Sequence, residues 1–411
     1  MRILMVTEDV PAPQIGGLGK HVVTLANALL SDGHDVALMG RSDRGGDQAI
    51  ERIGFRGRFI GGFHFRHAAW KEAEVGAFLP PKRPAIARRI ARAIEAVARE
   101  FDVIHYHGHF PMVGSYVERT VNFVQTRHDQ GSECLTHLRF VHGEVCSTTI
   151  AADCARCIHP SPGRLRRWMS ARAVRSYRML AASAFAARST IFVSDFLRRQ
   201  FLRAVPWADL RNTWVVHNFI DLSRLLALTS PATAIVPGSI MLAGRIDEGK
   251  GFGEILAATS GAVPDGVRLD VVGDGPLKEP LMQRFAADRV VFHGWMGNDD
   301  VIRATARAHV CVVPSLWEEP CGTTVLEALA LGRPCLALAR GGTPELAAYQ
   351  RYPGQLTLVS TMRELVAEAF ARARAEVAQP LLAAGFEADV AVAMRSILSI
   401  YARGLSNAAA A

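Results

Sequence analysis

A strand, a loop and a helix follow one another directly in the last third of the chain, and this stretch constrains the fold most strongly. The apolar run at residues 310–313 predicts a strand, which Pro314 and Pro320 interrupt. From Thr323 onward, apolar side chains recur at helical spacing until Gly332 stops the helix: Val325, Leu326, Leu329 and Ala330. A buried strand that leads through a loop into a helix is the repeating unit of an α/β fold.

The start of this helix, at Gly322, Thr323 and Thr324, is a candidate donor-binding site. Its first turn offers backbone N–H groups, two hydroxyls and the positive end of the helix dipole, which together suit a phosphate or diphosphate. Glu319 precedes the helix and Glu327 lies one turn into it, and ionised carboxylates accept hydrogen bonds from sugar hydroxyls. A nucleoside diphosphate sugar carries all of these groups. An ordinary amphipathic helix with solvated glutamates is the alternative.

Residues 317–345 also carry a longer pattern of glycine, proline and acidic positions. Its members are Glu319, Pro320, Gly322, Glu327, Ala328, Gly332, Pro334, Gly341, Gly342 and Glu345. This pattern resembles the signature of the family 4 retaining glycosyltransferases of GT-B fold. The resemblance implies an α/β chain with two Rossmann-like domains facing a central cleft and a C-terminal helix that crosses back to the first domain. It also implies that Glu319 contacts the donor sugar and Glu327 the donor ribose.

Length and composition favour two domains. The chain has 411 residues, of which 49% are apolar, so it exceeds one ordinary core and has ample apolar surface to bury. We predict a first, acceptor-side domain over residues 1–221, to which a terminal helix at residues 386–403 returns. A connection at residues 222–237 leads to a second, nucleotide-sugar-binding domain over residues 238–385.

The net charge of +8 suits an anionic ligand or an anionic membrane surface. No nucleic-acid-binding motif accompanies the charge, so no nucleic acid is expected as a partner. Residues 1–6 are too short for a signal peptide, and no apolar run of about eighteen residues predicts a membrane span. The expected location is cytoplasmic, with peripheral contact to the inner face of the membrane left open, as is the oligomeric state.

The first domain opens with a strand, a glycine-containing loop and a helix. Residues 2–7 predict a short strand with an apolar centre at residues 3–6, residues 9–19 include Gly16 and Gly17, and helical spacing then continues to Gly33. This order is typical of a Rossmann-like domain, although the loop lacks the full dinucleotide fingerprint. In the resembled family this loop approaches the donor phosphate and the acceptor, which makes both glycines candidate donor-binding residues.

Glu8 and Asp9 follow the first predicted strand directly. At that position their carboxylates would meet hydroxyl or amino groups of an acceptor, so we consider both as acceptor-binding candidates. Surface charges beside the following helix are an equal alternative on sequence alone.

Three histidines alternate at the end of the strand predicted at residues 101–106. His105, His107 and His109 would share one face of an extended chain, at the edge where open α/β sheets bind ligands. A histidine satisfied within the core is one alternative, and a metal site is another, which we disfavour because no carboxylate partner is evident. By resemblance to the family's strand before the active site, His107 is expected to contact and orient the donor sugar.

Four of the seven cysteines lie in an insertion-like segment at residues 127–160: Cys134, Cys146, Cys154 and Cys157. The last two form a C-x-x-C pair, which is typical of a zinc knuckle, and some members of the resembled family carry a similar loop. A structural zinc ion is one hypothesis and free thiols are the other. A disulfide framework is not expected, because the number of cysteines is odd and three of them lie elsewhere.

The second domain opens with a strand at residues 239–243 and then two cations, Arg245 and Lys250. An arginine holds two phosphate oxygens and a lysine adds a mobile point charge, so a strand–loop–helix junction with both suits a diphosphate. Solvated surface charges are the alternative. The pattern resembles the family's pyrophosphate clamp, which implies that Arg245 and Lys250 neutralise the leaving nucleotide.

Two arginine-rich segments carry interleaved apolar residues. Residues 86–97 form an apolar helical stripe among arginines, and residues 164–178 combine six arginines with Leu165, Trp168 and Met169. Either segment would suit an anionic bilayer, although a solvated basic face is the more common role.

With the resemblance, these residues predict a retaining glycosyltransferase. It would move a glucosyl, N-acetylglucosaminyl or mannosyl group from a nucleoside diphosphate sugar, UDP-linked by family frequency, to an acceptor hydroxyl. Catalytic roles fall to His107, Arg245, Lys250 and Glu319, with no cofactor for catalysis, since the cations stabilise the departing diphosphate. The acceptor stays open between an aminoglycoside-type or other polar metabolite and a lipid-linked saccharide. A GT-B-fold sugar-nucleotide epimerase and a non-catalytic nucleotide-sugar-binding protein are the competing hypotheses.

Overall fold

The computed structural model describes residues 1–11, 16–43, 47–64, 82–157, 163–229, 233–259, 263–377 and 385–409. The chain divides into two units. Unit 1 comprises Met1–Arg139, Cys146–Asn218 and Val390–Ala411, and unit 2 comprises Phe140–Val145 and Phe219–Asp389. Of the predicted segments, residues 12–15 of the glycine loop, 158–160 of the cysteine segment and 230–232 of the connection lie outside the described residues.

The strands of the described residues, in chain order, are β1 (Arg2–Val6), β2 (Asp35–Arg41), β3 (Arg58–Phe63), β4 (Val103–Tyr106), β5 (Phe123–Arg127), β6 (Phe140–Val141), β7 (Glu144–Val145), β8 (Ser189–Phe192), β9 (Thr213–Val215), β10 (Val236–Ala243), β11 (Arg268–Val272), β12 (Val290–Gly294), β13 (Ala308–Val313), β14 (Cys335–Leu338) and β15 (Leu356–Val359).

The helices of the same residues are α1 (Gly17–Ser31), α2 (Asp47–Arg52), α3 (Lys82–Glu95), α4 (Ala151–Arg156), α5 (Arg164–Ala187), α6 (Asp195–Ala204), α7 (Leu222–Leu228), α8 (Phe252–Thr259), α9 (Lys278–Phe285), α10 (Asn298–Arg307), α11 (Thr323–Ala330), α12 (Met362–Arg374) and α13 (Val390–Ala409). The strand and helix predicted around Pro314 are confirmed as β13 and α11.

Unit 1 is built on a parallel sheet in the order β3-β2-β1-β4-β5-β8-β9. Its central strand β1 is fully buried at Ile3, Leu4 and Met5, because helices cover both faces of an all-parallel sheet and its strands become continuous apolar runs. The chain reverses its direction of winding between β1 and β4, which pair in register from Ile3↔Val103 to Val6↔Tyr106. Ligands of such sheets bind beyond the carboxyl ends of the strands at this switch point.

Unit 2 repeats the arrangement with a six-stranded sheet in the order β12-β11-β10-β13-β14-β15. Its core joins the sheet to α8 and α12, through side chains such as Ile255 and Leu365. Here the switch point lies between β10 and β13, which pair in parallel from Ile240↔Val310 to Leu242↔Val312. The predicted α/β architecture with two Rossmann-like units is confirmed.

The C-terminal helix α13 packs back into unit 1, as predicted. Its Tyr401 is fully buried, and the Tyr401 hydroxyl lies 2.7 Å from His105 Nδ1. The Tyr401 carbonyl accepts a hydrogen bond from Asn122 Nδ2 at 3.0 Å. The helix begins at Val390 rather than at residue 386, and Asp389 before it pairs with Ile220 in an isolated bridge.

The division between the units differs from the predicted one in two places. Residues 222–237 contain helix α7, whose N-cap Asp221 accepts a hydrogen bond from the Arg224 N–H, and unit 2 already begins at Phe219. A helix this short shows too few turns for its period to stand out in sequence. The hairpin of β6 and β7, within the predicted cysteine segment of the first domain, belongs to unit 2.

Candidate active site

The candidate donor site of unit 2 centres on an ion pair between two predicted site residues. Lys250 Nζ lies 2.5 Å from Glu319 Oε1. The same oxygen accepts hydrogen bonds from Ser315 Oγ at 2.8 Å and from Trp317 Nε1 at 3.0 Å. Burial alone would raise the pKa of Glu319, but Lys250 and these donors outweigh it and hold the pKa below its usual value. Glu319 is therefore an ionised, fixed acceptor.

Backbone contacts bring Lys250 and Glu319 together. The loop after β10 and the loop after β13 are joined because the carbonyl of Gly249 accepts hydrogen bonds from the N–H groups of Leu316 and Trp317. Asp247 accepts from the Lys250 N–H at 3.1 Å and so caps the short turn that carries the lysine. Both loops start at neighbouring carboxyl strand ends, which explains why residues so distant in sequence meet.

The second predicted cation, Arg245, lies open to solvent. Its side chain is 72% exposed, and its Nε is 3.4 Å from Asp247 Oδ2. An exposed pair of this kind contributes about 0–1 kcal/mol. The guanidinium can therefore be redirected to a ligand at little cost.

Helix α11 starts beside Glu319 without a capping side chain. Gly322 is its N-cap, and Thr323 and Thr324 form its first turn. The first N–H groups of a helix have no intrahelical acceptor, so this end suits an anion. Glu327 lies half-buried one turn further on, within electrostatic reach of Cys311.

Two glycines fix the backbone of Glu319. The Gly342 N–H donates to the Glu319 carbonyl at 2.7 Å. Gly341 has φ +61°, and a Cβ there would lie 2.4 Å from the Glu319 carbonyl oxygen. Only glycine permits this approach, which gives a physical reason for the Gly-Gly pair of the sequence pattern.

In unit 1, His107 belongs to a cluster of three histidines that the sequence did not group. His107 follows β4, His128 follows β5 and His21 lies on α1, and one ligand atom of each lies within 4.8 Å of the other two. His107 Nδ1 and His128 Nε2 are hydrogen-bonded at 3.0 Å. His107 Nε2 is buried and has no hydrogen-bond partner among the described residues.

All three imidazoles of this histidine cluster are neutral at pH 7. Burial lowers the pKa of His21 to about 3. Burial, together with the neighbouring histidines, also lowers the pKa values of His107 and His128 well below the usual value. A neutral imidazole both donates and accepts, so His107 can serve a hydroxyl group.

The three alternating histidines do not form one common group, contrary to the prediction that they would share one face of an extended chain. The ring centroids of His105 and His107 lie 3.9 Å apart, with the rings tilted by 45°. His105, however, is satisfied within the core by Tyr401 and by Thr126 Oγ1 at 2.7 Å. His109 turns to a different group of residues, because β4 ends at Tyr106 and the chain after it is a loop.

That second group joins His109 to two carboxylates. His109 Nε2 lies 3.1 Å from Asp9 Oδ1, and His109 Nδ1 lies 3.2 Å from Asp129 Oδ2. Asp129 also lies 3.3 Å from His137 Nδ1. Burial alone would raise the pKa of Asp129, but His137 and His109 hold it well below the usual value. Asp9, His109, Asp129 and His137 form the acid–histidine cluster.

Glu8 is buried, unlike the exposed acceptor contact that the sequence suggested. It is 1% exposed, its Oε1 accepts a hydrogen bond from the Tyr106 hydroxyl, and burial raises its pKa to about 7. A Cβ at Gly108 would lie 2.0 Å from Glu8 Oε2, so Gly108 is required for this packing. Asp9 is the carboxylate that remains partly accessible.

Gly16 and Gly17 stand at the start of α1, where Gly16 is the N-cap. Both are exposed, and no described atom lies within 4 Å of a Cβ built on either. The surroundings in the described chain therefore leave room for a ligand beside this backbone.

The four cysteines of the insertion share one neighbourhood in unit 1. Partial burial raises the pKa of Cys157, and the other three thiols raise it further. Arg178 Nη2 donates to Cys154 Sγ at 3.2 Å, and such a cation suits the net negative charge of a zinc ion bound by four thiolates. The chemistry of these residues suits a structural zinc ion, but the groups of described side chains whose ligand atoms lie within 4.8 Å of one another are built on histidines and do not include these cysteines.

Sequence reasoning missed five side chains that complete these groups: His21, His128, Asp129, His137 and Ser315. A usable signal existed for two of them, because His128 and Asp129 follow β5 directly and neighbouring parallel strands end at the same edge. For Ser315 and His21 no sequence spacing indicated a role.

Two doubly wound sheets, each with polar residues at its switch point, have the architecture of the GT-B class. The chain matches the family model of Glycosyltransferase Family 4 over residues 15–224 and that of Glycosyl transferases group 1 over residues 237–385. It belongs to Glycosyltransferase Family 4.

Individual relatives agree with this assignment. A glycogen synthase of Mycobacterium tuberculosis is 26% identical over 362 residues, covering 84% of this chain and 80% of that protein. A 2-deoxystreptamine N-acetyl-D-glucosaminyltransferase of Streptomyces fradiae is 35% identical over 107 residues, or 24% of this chain and 25% of that one. The crystal structure of HepE from Anabaena in complex with UDP aligns with a TM-score of 0.63 at 17% identity, covering 98% of this chain and 100% of HepE; this likeness shows the fold.

Among the helices of the described residues, none combines the length and the apolar character that a membrane crossing requires.

Proposed function

We propose that the chain is a retaining glycosyltransferase that moves a hexosyl group from a nucleoside diphosphate sugar, UDP-linked, to an acceptor hydroxyl. The observation that carries the proposal is the contact of Lys250 with Glu319 beside the uncapped start of α11. A diphosphate requires cations and free N–H groups, whereas a sugar requires a fixed hydrogen-bond acceptor, and unit 2 offers all three at one switch point.

The donor diphosphate is assigned to Arg245, Lys250 and the first turn of α11. Arg245 is exposed and weakly paired, so it would close on the phosphates, whereas Lys250 is already held in place by Glu319. As the sugar leaves the diphosphate, negative charge grows on the phosphate oxygens, and preorganised cations and N–H groups stabilise that charge. We propose that these residues replace a catalytic divalent metal.

The sugar and ribose are assigned to residues that accept or exchange hydrogen bonds. Glu319 is ionised and would accept from sugar hydroxyls, and Glu327 would accept from the ribose. His107 is neutral, and its buried Nε2 has no hydrogen-bond partner among the described residues. This nitrogen would therefore bond a sugar hydroxyl. The bare backbone at Gly16 and Gly17 would admit the donor phosphate.

The acid–histidine cluster supports a polar, amine-bearing acceptor. Asp9 and Asp129 flank His109, and ionised carboxylates bind ammonium groups through charge-assisted hydrogen bonds. The relative from Streptomyces fradiae bears the name of a 2-deoxystreptamine-modifying enzyme, which is consistent with an aminoglycoside-type acceptor. We assign Glu8 an indirect role, since it contacts Tyr106 rather than open space. The lipid-linked alternative is favoured by one observation, the exposed apolar face of α5.

A donor panel tests the proposal. UDP, GDP and ADP, and then their sugars, are added to the protein and its thermal unfolding is followed; a ligand at about 100 times its Kd stabilises by about 2.7 kcal/mol. We expect UDP compounds to give the largest shift in the native protein and the shift to vanish in Arg245→Ala and Lys250→Ala. The control Arg372→Ala removes a cation paired with Glu368 at 2.9 Å and should retain the shift. If no nucleoside diphosphate stabilises the protein, the donor site is refuted.

Product analysis separates the competing hypotheses. Proton NMR of the product from an α-linked donor should show an α-linked product, and inversion would refute retention. Conversion of the donor in the absence of acceptor into an epimer would identify a sugar-nucleotide epimerase. Donor binding without turnover across polar and lipid-linked acceptors would identify a binding protein.

We also propose that Cys134, Cys146, Cys154 and Cys157 hold a structural zinc ion. Elemental analysis of the purified protein should give one zinc per chain, which Cys154→Ser and Cys157→Ser lose. Cys311→Ser, in unit 2, should keep the metal. A zinc-free protein with unchanged thermal stability would refute the proposal and leave free thiols.

A further inference from the structure

Helix α5 presents large apolar side chains to solvent. Leu165, Trp168, Met169 and Met179 are 71%, 59%, 53% and 57% exposed. Their spacing of three, four and fourteen residues from Leu165 places them on one side of the helix, and Arg172 lies among them. We call these five residues the α5 face. An exposed apolar patch of this kind marks an interaction site.

The α5 face is not a misplaced core surface, because the opposite side of the helix is already packed. Ala171, Val174, Tyr177 and Ala181 are buried within unit 1. Arg178, one of the six arginines of the segment, is also buried there and donates to the Glu133 carbonyl at 3.0 Å. The apolar residues of the α5 face therefore lie mainly outside the packed interior of unit 1.

The surroundings of the α5 face are positively charged. Arg164 and Arg175 are exposed, and helical spacing places them at the edge of this face. The helix contains neither aspartate nor glutamate. The Arg172 guanidinium lies 5.8 Å from the centroid of the Trp168 ring, so both side chains occupy one spot of the surface. A partner for this surface must be apolar at the centre and negatively charged around it.

We propose that the α5 face binds the surface of an anionic lipid bilayer, with Leu165, Trp168 and Met169 in the headgroup–acyl boundary and the arginines on the phosphates. An amphipathic helix with tryptophan on one face and arginines beside it has the form of an interfacial helix. A tryptophan suits this boundary because its ring is apolar and its N–H is polar. This inference does not rest on the proposed reaction.

A second copy of the chain is a poorer occupant. Two α5 faces brought together would oppose their arginines, and like charges at an interface are unfavourable. Negatively charged lipid instead attracts each arginine near its surface, which strengthens binding roughly fivefold per residue.

Vesicle sedimentation tests the proposal with the full chain. The protein is mixed with vesicles of phosphatidylcholine alone or with added phosphatidylglycerol, at low and high salt. We expect binding to the anionic vesicles to be at least tenfold tighter, and to weaken with salt because exposed charges are then screened. Trp168→Ser with Met169→Ser should weaken it at least tenfold, and Arg172→Gln with Arg175→Gln about 25-fold.

Trp207→Ser is the matched control, since Trp207 is 65% exposed and lies elsewhere on unit 1. It should bind vesicles like the native protein, and thermal unfolding should show that every variant is folded. The proposal is overturned if the native protein does not bind anionic vesicles or binds vesicles of both compositions equally well. It is also overturned if the Trp168/Met169 variant binds anionic vesicles as well as the control does. Light scattering that shows a native dimer, lost in that variant, would assign the face to a second copy instead.

Discussion

Replacing Lys250 by alanine tests the centre of the donor site. The substitution removes the Nζ that lies 2.5 Å from Glu319 Oε1 and 5.0 Å from the centroid of the Trp317 ring. Glu319 loses its counter-charge but keeps its hydrogen bonds from Ser315 and Trp317, so the carboxylate is not left without donors. We therefore expect a folded protein that lacks one fixed cation.

Lys250→Ala should lower both the free energy of unfolding and kcat. A hydrogen bond to a charged group contributes about 1.5–3 kcal/mol, and we expect the lower end, because the lysine side chain is 27% exposed and solvent screens the pair. One preorganised donor aimed at developing charge is worth about 100- to 1000-fold in kcat. The loss of rate should therefore far exceed the loss of stability.

The assay measures kcat and KM separately, with the nucleotide sugar that stabilises the protein most. A lower kcat in Lys250→Ala would show that Lys250 interacts mainly with the transition state. A higher KM alone would show that Lys250 binds the substrate and the transition state equally well. Arg372→Ala, which loses a cation of similar exposure and an ion pair with Glu368, serves as control. Equal kcat values for the two variants would refute the role of Lys250 in stabilising the leaving group.

Three further substitutions test the surroundings of His107 in unit 1 and of Glu319 in unit 2. Burial raises the pKa of Glu8 to about 7, so between pH 4.5 and 7 the unfolded state releases a proton that the folded state keeps, and stability falls as pH rises. Glu8→Gln should therefore be up to about 3 kcal/mol more stable than the native protein at pH 8, with the difference shrinking toward pH 4.5 in denaturant unfolding. The pKa of His21 is lowered to about 3, so below pH 6.5 the unfolded state gains a proton that the folded state refuses. Between pH 7 and pH 5 the free energy of unfolding of His21→Asn should therefore fall by about 2 kcal/mol less than that of the native protein. An equal fall in both proteins would contradict the burial of a neutral imidazole. Gly341→Ala should reduce turnover and destabilise by more than the roughly 1–3 kcal/mol of backbone strain, because its Cβ would meet the Glu319 carbonyl; Gly354→Ala, with φ +78° and no described atom closer than 3.9 Å, should show the strain alone in thermal unfolding.

The sequence predicted the order of elements and the residues at strand ends well. Both depend on local patterns, namely the change from strand to helix period near Thr323 and the polar residues after apolar strands at Glu8, His107 and Arg245. Since open parallel sheets bind ligands at their switch points, such residues could be proposed as site residues without coordinates, although Glu8 is buried against Tyr106.

The partners of those residues were not predictable, because they depend on register and on side-chain direction. Glu319 meets Lys250 only because the loops of β10 and β13 are joined at the Gly249 carbonyl. Glu8 faces the core while its neighbour Asp9 does not, a difference that composition does not encode. Likewise, the sequence alone does not show which side of α5 faces solvent, because that depends on which side chains pack within unit 1.

The two units differ in the charge that their candidate site residues carry. Unit 2 presents the cations Arg245 and Lys250 at the place proposed for the phosphates. Unit 1 presents His107 within a cluster of histidines that burial keeps neutral. Had those imidazoles been protonated, they would form a second cationic site and compete for the phosphates. Because they are neutral, hydroxyl groups are the ligands that they suit.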